Sequence, residues 1–253
     1  MIMASVVQRI KEVKQPRGGY IKPKEFEVIQ LESNIELHPD ENIHSSLVGL
    51  AVDYLTRFAN GADREEAFKI SLLGSRIIKE ERKAIKLLKE IKGLDDKSIE
   101  NACKLVGYDV CFRSGIAGYK PVELIEADKK TIDNIREMVQ RSLNFIEIYG
   151  PITKDGFTFE GGYTDLVSAG DGDFLTESTI WDFKVSVKGP TNSHTLQILM
   201  YYLMGKHSRN ELHFENLKKL GFFNPRLNCV YLLEIDKISP LIIEEVSEKV
   251  IGY

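Results

Sequence analysis

The chain has 253 residues, 43% of them hydrophobic and 28% charged, with a net charge of −4 at pH 7. That balance suits one large domain or two small ones able to bury a sizeable core. It excludes a membrane-spanning chain, because no apolar run approaches the ~18 residues of a span, and it shows no bulk basicity, although an enzyme acting on DNA can keep a basic groove on an acidic body.

The opening MIMASVVQRI lacks a long apolar stretch followed by a small-residue cleavage site, so no secretory signal is expected. Three cysteines (Cys103, Cys111, Cys229) without C-x-x-C spacing point to reduced thiols in a cytoplasmic protein rather than a disulfide frame or zinc site. An N-terminal segment, 1–39, reads as extended over residues 1–37: SVVQRIKEV and EFEVIQLE alternate in part and are separated by the turn-rich KQPRGGYIKPK. Its cluster of Arg9, Lys11, Lys14, Arg17, Lys22 and Lys24 fits either a solvated hairpin or an arm that contacts phosphates.

From 40 to 143 the pattern is helical. Asp40 after Pro39 is a candidate N-cap, Ile43, Leu47, Leu50, Ala51, Tyr54, Leu55 and Phe58 recur at helical spacing, and Asn60-Gly61 is a stop. Further helices are expected over 63–92, with a break near Gly74, and over 97–106 and 129–143. The basic stretch of Lys79, Arg82, Lys83, Lys86 and Lys89 is interleaved with Glu80, Glu81 and Glu90, which marks a solvated face.

After Asn144 the character changes to strands. FIEIYG, FTFEGGYTDLVSAG and FLTESTIWDFKVSV read as successive strands with DGD (171–173) near a turn. A helix is expected from His194 to Lys206, capped within Thr191–Ser193. A second follows over 210–221, then a strand in NCVYLLEI.

In TIWDFKVS, Asp182 and Lys184 share one strand face while Trp181, Phe183 and Val185 share the other. Asp165, in GYTDLV, is placed on the strand before. If 171–174 form a four-residue loop, Asp165 sits opposite Ile180 and Asp182 is its diagonal neighbour, at ~7–8 Å between Cα atoms. A tight Asp171-Gly172 loop would instead offset the two by ~13 Å and defeat a shared metal. Two converging carboxylates suit a hard dication that takes oxygen ligands and keeps several waters. Gln197 and Tyr201, four apart on the next helix, share a face and could either serve the site or pack as core. His44 is open in the same way, as a core histidine or an imidazole ligand.

The order of His44, G-x-x-D (162–165), D-x-K (182–184) and Q-x-x-x-Y (197–201) resembles the PD-(D/E)XK nuclease superfamily, closest to its RecB-type exonuclease branch. The core of the match covers 144–237. The resemblance implies an α/β fold with a restriction-endonuclease-like core, a central mixed sheet flanked by helices, carrying the 40–143 region as an N-terminal helical elaboration. It implies Mg²⁺ or Mn²⁺ held by His44, Asp165, Asp182 and the Phe183 carbonyl. Lys184 would then be the catalytic lysine, and Gln197 and Tyr201 would position the site or the strand. The expected activity is hydrolysis of phosphodiester bonds at DNA ends. A structure-specific or restriction-like endonuclease and a non-catalytic nucleic-acid-binding scaffold are the alternatives. Three cysteines do not match a four-cysteine iron–sulfur cluster, and the absence of a G-x-x-x-x-G-K-[ST] loop assigns any unwinding to a helicase or recombination partner.

Overall fold

The computed structural model describes residues 4–253; the first three residues of the segment expected to be extended lie outside them. In chain order the elements begin with β1 (Ala4–Ser5), α1 (Val6–Glu12), β2 (Glu27–Gln30), α2 (Ser45–Ala59), α3 (Arg64–Ala67) and α4 (Lys69–Ile77). They continue with α5 (Glu81–Lys89), α6 (Asp96–Val106), α7 (Asp109–Arg113), α8 (Lys129–Tyr149), β3 (Lys154–Thr158) and β4 (Val167–Ala169). β5 (Asp171–Leu175), β6 (Thr179–Phe183), α9 (Asn192–Lys206), β7 (Lys219–Asn224), β8 (Cys229–Glu234) and α10 (Pro240–Glu245) follow, and α10 runs on into a π-helical segment, Val246–Ile251. Two compact units emerge, Met1–Leu31 with Phe145–Tyr253, and Glu32–Asn144. Among the described residues no helix is long and apolar enough to cross a membrane.

The first unit is α/β, built on a six-stranded mixed sheet of order β2-β8-β7-β6-β5-β3. β6 and β7 run parallel and the other neighbours antiparallel. Alternation along the central strands sorts the side chains to two faces. Leu175, Ile180, Leu220 and Phe222 pack with Leu196 and Leu199 of α9, whereas Phe174, Trp181, Phe223 and Val230 pack with Phe145 from the last turn of α8. The Phe145 ring stacks on Phe223 at 4.2 Å between centroids and meets Trp181 edge-on at 4.8 Å. Helices therefore cover both faces of the sheet, and β6 is interior to it.

Several local expectations change. FIEIYG is the end of α8, because Phe145 and Tyr149 are one helical turn apart and enter the same apolar cluster. Pro151 then prevents continuation. SVVQRIKEV is the helix α1, started by a capping box in which Gln8 N donates to Ser5 Oγ at 3.3 Å and Ser5 N to Gln8 Oε1 at 2.9 Å. β2 pairs with β8, so the basic N-terminal segment is no hairpin. The helix expected at 210–221 is a single 3₁₀ turn, Glu211–His213, followed by β7.

DGD is not a turn but the start of β5. Its glycine is required by packing: a Cβ on Gly172 would stand 2.3 Å from Cζ of the buried Phe157 ring. Gly172→Ala should therefore lower stability by about 1–3 kcal/mol. A Phe157→Leu background should relieve most of that increment. Additive losses in urea melts of the two single variants and the double variant would contradict this account.

The second unit is helical, comprising α2–α7 and most of α8. Its buried Asp109 accepts from Ser71 Oγ at 2.5 Å and Tyr54 Oη at 2.6 Å, which satisfies a carboxylate whose pKa burial raises. The break expected near Gly74 falls at Lys79 (φ 61°) instead, and Gly74 lies inside α4, where a Cβ would strike the Tyr108 carbonyl oxygen.

Candidate active site

β5 and β6 pair with Phe174 opposite Trp181 and Leu175 opposite Ile180. Beyond these two pairs, Asp173 and Asp171 at the start of β5 stay near the end of β6, close enough for both to act on the charge of Lys184. Three carboxylates and an ammonium thus share the sheet face that α9 covers. Asp173 is fastened to β6 directly, its Oδ2 accepting from the Phe183 amide at 2.7 Å.

Asp182 is buried at 3% exposure, and its Oδ2 accepts no hydrogen bond. The Lys184 ammonium lies 2.8 Å from that oxygen and donates to Oδ1 at 3.0 Å. It also donates to Gln197 Oε1 at 3.3 Å, and Gln197 Nε2 donates to Tyr201 Oη at 2.8 Å. A polar chain therefore runs Asp182–Lys184–Gln197–Tyr201 through an otherwise apolar helix–sheet interface. α9 can present its two members because Thr191 caps it and Gln197 and Tyr201 are four apart on the face that meets β6.

Burial opposes the charge on Lys184, but Asp182, then Asp173 and Asp171, outweigh it and raise its pKa. The Tyr201 phenol is pushed up by burial and then by Asp182, so it remains protonated. His194, in the first turn of α9, is shifted down by burial and then by Lys184.

Of the residues expected from sequence, Asp182, Lys184, Gln197 and Tyr201 come together, with Phe183 between the first two. Asp165 does not lie on the paired strand. It sits on an exposed bend before β4, and that bend is fastened through Thr164, whose Oγ1 accepts from the Leu166 and Val167 amides at 3.2 Å and donates to the Ile251 carbonyl. The residue opposite Ile180, expected to be Asp165, is Leu175, and the carboxylate fastened beside Asp182 is Asp173. Its signal was in the sequence. G-x-x-D recurs at Gly170–Asp173, while Gly162 of the first copy packs against the end of α9, where a Cβ would be 2.4 Å from the Met204 carbonyl oxygen.

His44 belongs to the second unit and is neither core nor mid-helix. It is the exposed N-cap of α2, a role expected of Asp40, and its Nδ1 accepts from the Ser46 amide at 3.2 Å. Nε2 is thus its one nitrogen available to a metal. His44→Ala removes the cap and should cost about 1 kcal/mol with or without dication. His44→Asn keeps a capping oxygen and removes Nε2. A tenfold or larger loss of Mn²⁺ affinity in His44→Asn by calorimetry would assign the ligand role, and unchanged affinity would remove it.

Among the described residues no group of three or more His, Cys, Asp or Glu side chains is arranged to hold a metal. No family model, no curated protein and no solved structure matches the chain significantly.

Proposed function

We propose that the protein is a divalent-metal-dependent DNA nuclease with a restriction-endonuclease-like core, an exonuclease acting at DNA ends. The observation that carries this is the ion pair of the buried Asp182 with Lys184, with Asp173 held beside it by the Phe183 amide. The donor set suits a hard dication, which needs oxygen ligands, accepts few of them from protein and retains water. Asp182 is buried with the Lys184 ammonium beside both of its oxygens, so its carboxylate is held charged, the form that an oxygen-ligated dication needs. Asp173, Asp182 and the Phe183 carbonyl would hold the ion.

Bound there, such an ion supplies Lewis acidity to the phosphodiester and to a water. The chain's own groups do the rest. Lys184 is protonated in this arrangement, so it acts as a fixed positive donor toward the negative charge that grows on the phosphoryl oxygens during in-line attack, rather than as a base. Gln197 restricts the ammonium to one direction, and Tyr201 fixes the amide of Gln197, which makes both of them positioning residues. Burial of Asp182 keeps the dielectric low, so each of these charges acts at greater strength than in water.

Digestion of linear against covalently closed circular DNA, with Mg²⁺, Mn²⁺ or chelator, tests the proposal. Metal-dependent loss of linear DNA with circles intact is the expected result. Cleavage of circles would move the assignment to an endonuclease, and no cleavage with either metal would overturn the nuclease assignment.

A further inference from the structure

We infer that the cavity between α1 and α9 is a subsite for a single nucleotide, the terminal residue of the strand being hydrolysed, an inference that rests on the nuclease proposal above. The cavity measures about 300 Å³ and is lined by Val7, Ile10 and Lys11 of α1 and by Lys184, His194 and Gln197. This is the lower end of small-molecule sites, with room for one nucleotide and none for a duplex.

Its two walls differ in chemistry. α1 contributes the half-exposed Val7 (49%) and the buried Ile10, an apolar surface for a sugar and base. The opposite wall carries donors. The Thr191 amide donates to His194 Nδ1 at 3.2 Å, so the neutral imidazole holds its proton on Nε2 as a donor. On the α1 side, Lys11 adds an exposed ammonium. Lys184 belongs both to this wall and to the Asp182 pair, so the cavity opens beside the position assigned to the scissile phosphate. A phosphate monoester, with up to two negative charges, fits two cationic or N–H donors better than a diester does. A pocket of one nucleotide's volume beside Lys184 would favour a strand end over the interior of a strand.

The test is calorimetry on the metal-free protein with dTMP, thymidine and inorganic phosphate. dTMP is expected to bind at least tenfold more tightly than either fragment, and Lys11→Ala and His194→Ala are expected to weaken it by about tenfold each. Lys11 is exposed, so Lys11→Ala should fold even if loss of His194 loosens the start of α9. Affinity for dTMP no greater than for phosphate, or unchanged by Lys11→Ala, overturns the subsite. Tight dTMP binding that depends on Lys11, in a protein that digests no DNA, would leave the subsite standing and remove the nuclease proposal. Digestion of linear DNA without dTMP binding would do the reverse.

Discussion

Asp182→Asn should abolish divalent binding and DNA cleavage together, and should also lower the stability of the metal-free protein. The first effect follows from removing one of two facing carboxylate charges, without which a hard dication exchanges its hydration shell unfavourably. Cleavage should fall by about a hundredfold or more. The second follows from the ion pair, in which the Lys184 ammonium lies 2.8 and 3.0 Å from the two Asp182 oxygens. Breaking a buried pair by removing one partner costs about 3–5 kcal/mol. The Lys184 side chain is 25% exposed, and Asp173 and Asp171 also act on it, so about 1–2 kcal/mol is expected once solvent screening is discounted. Lys184 has a folded pKa above its ordinary 10.5, so this contribution is complete at neutral pH and is lost only as alkaline pH passes through the raised value. Calorimetric Mn²⁺ titration and urea melts check both parts, and Asp182→Asn/Lys184→Met should recover most of the stability without the metal. Full metal affinity in Asp182→Asn would make the carboxylate a structural partner of Lys184 alone.

Lys184→Ala should separate chemistry from binding. A positive donor aimed at developing phosphoryl charge acts in the transition state, so its loss lowers turnover about a hundredfold or more while substrate affinity barely changes. A lysine that only contacted the DNA backbone would weaken binding across all sequences and reduce the salt dependence by about one unit. Single-turnover cleavage at saturating DNA, with binding measured in Ca²⁺ across several salt concentrations, distinguishes the two. Gln197→Ala should show a smaller fall in turnover of the same kind, because the ammonium then keeps its charge and loses one restraint. Unchanged cleavage by Lys184→Ala at saturating DNA would refute the catalytic role.

What the sequence made legible was governed by short-range rules. The D-x-K face of β6, the capped helix α9 and the Gln197–Tyr201 face follow from side-chain alternation and helical spacing, and they stand where expected. Pairing register does not follow from those rules. Asp171-Gly172-Asp173 has the composition of a turn, and its glycine answers to the Phe157 ring, a contact visible only once the sheet is assembled. A turn at 171–173 leaves Asp165 as the carboxylate nearest Asp182, whereas the strand β5 brings Asp173 there. α1 and the end of α8 were read as strands because β-branched and aromatic residues are common to both states. The capping box of Ser5 and Gln8 and the one-turn interval between Phe145 and Tyr149 were the signals that separate them.

The first unit is discontinuous in sequence. The chain leaves it at Leu31 and re-enters at Phe145, and these two residues belong to one apolar cluster beneath β6. The intervening helical unit is therefore topologically a guest, inserted between two segments of chain that fold together. A short polar linker in its place gives a route to a minimal protein. The obstacle is the five-residue last turn of α8, which brings Phe145 and Tyr149 to the sheet but is too short to nucleate a helix unaided. A minimal version must therefore supply the preceding turns of α8 on which that last one is propagated.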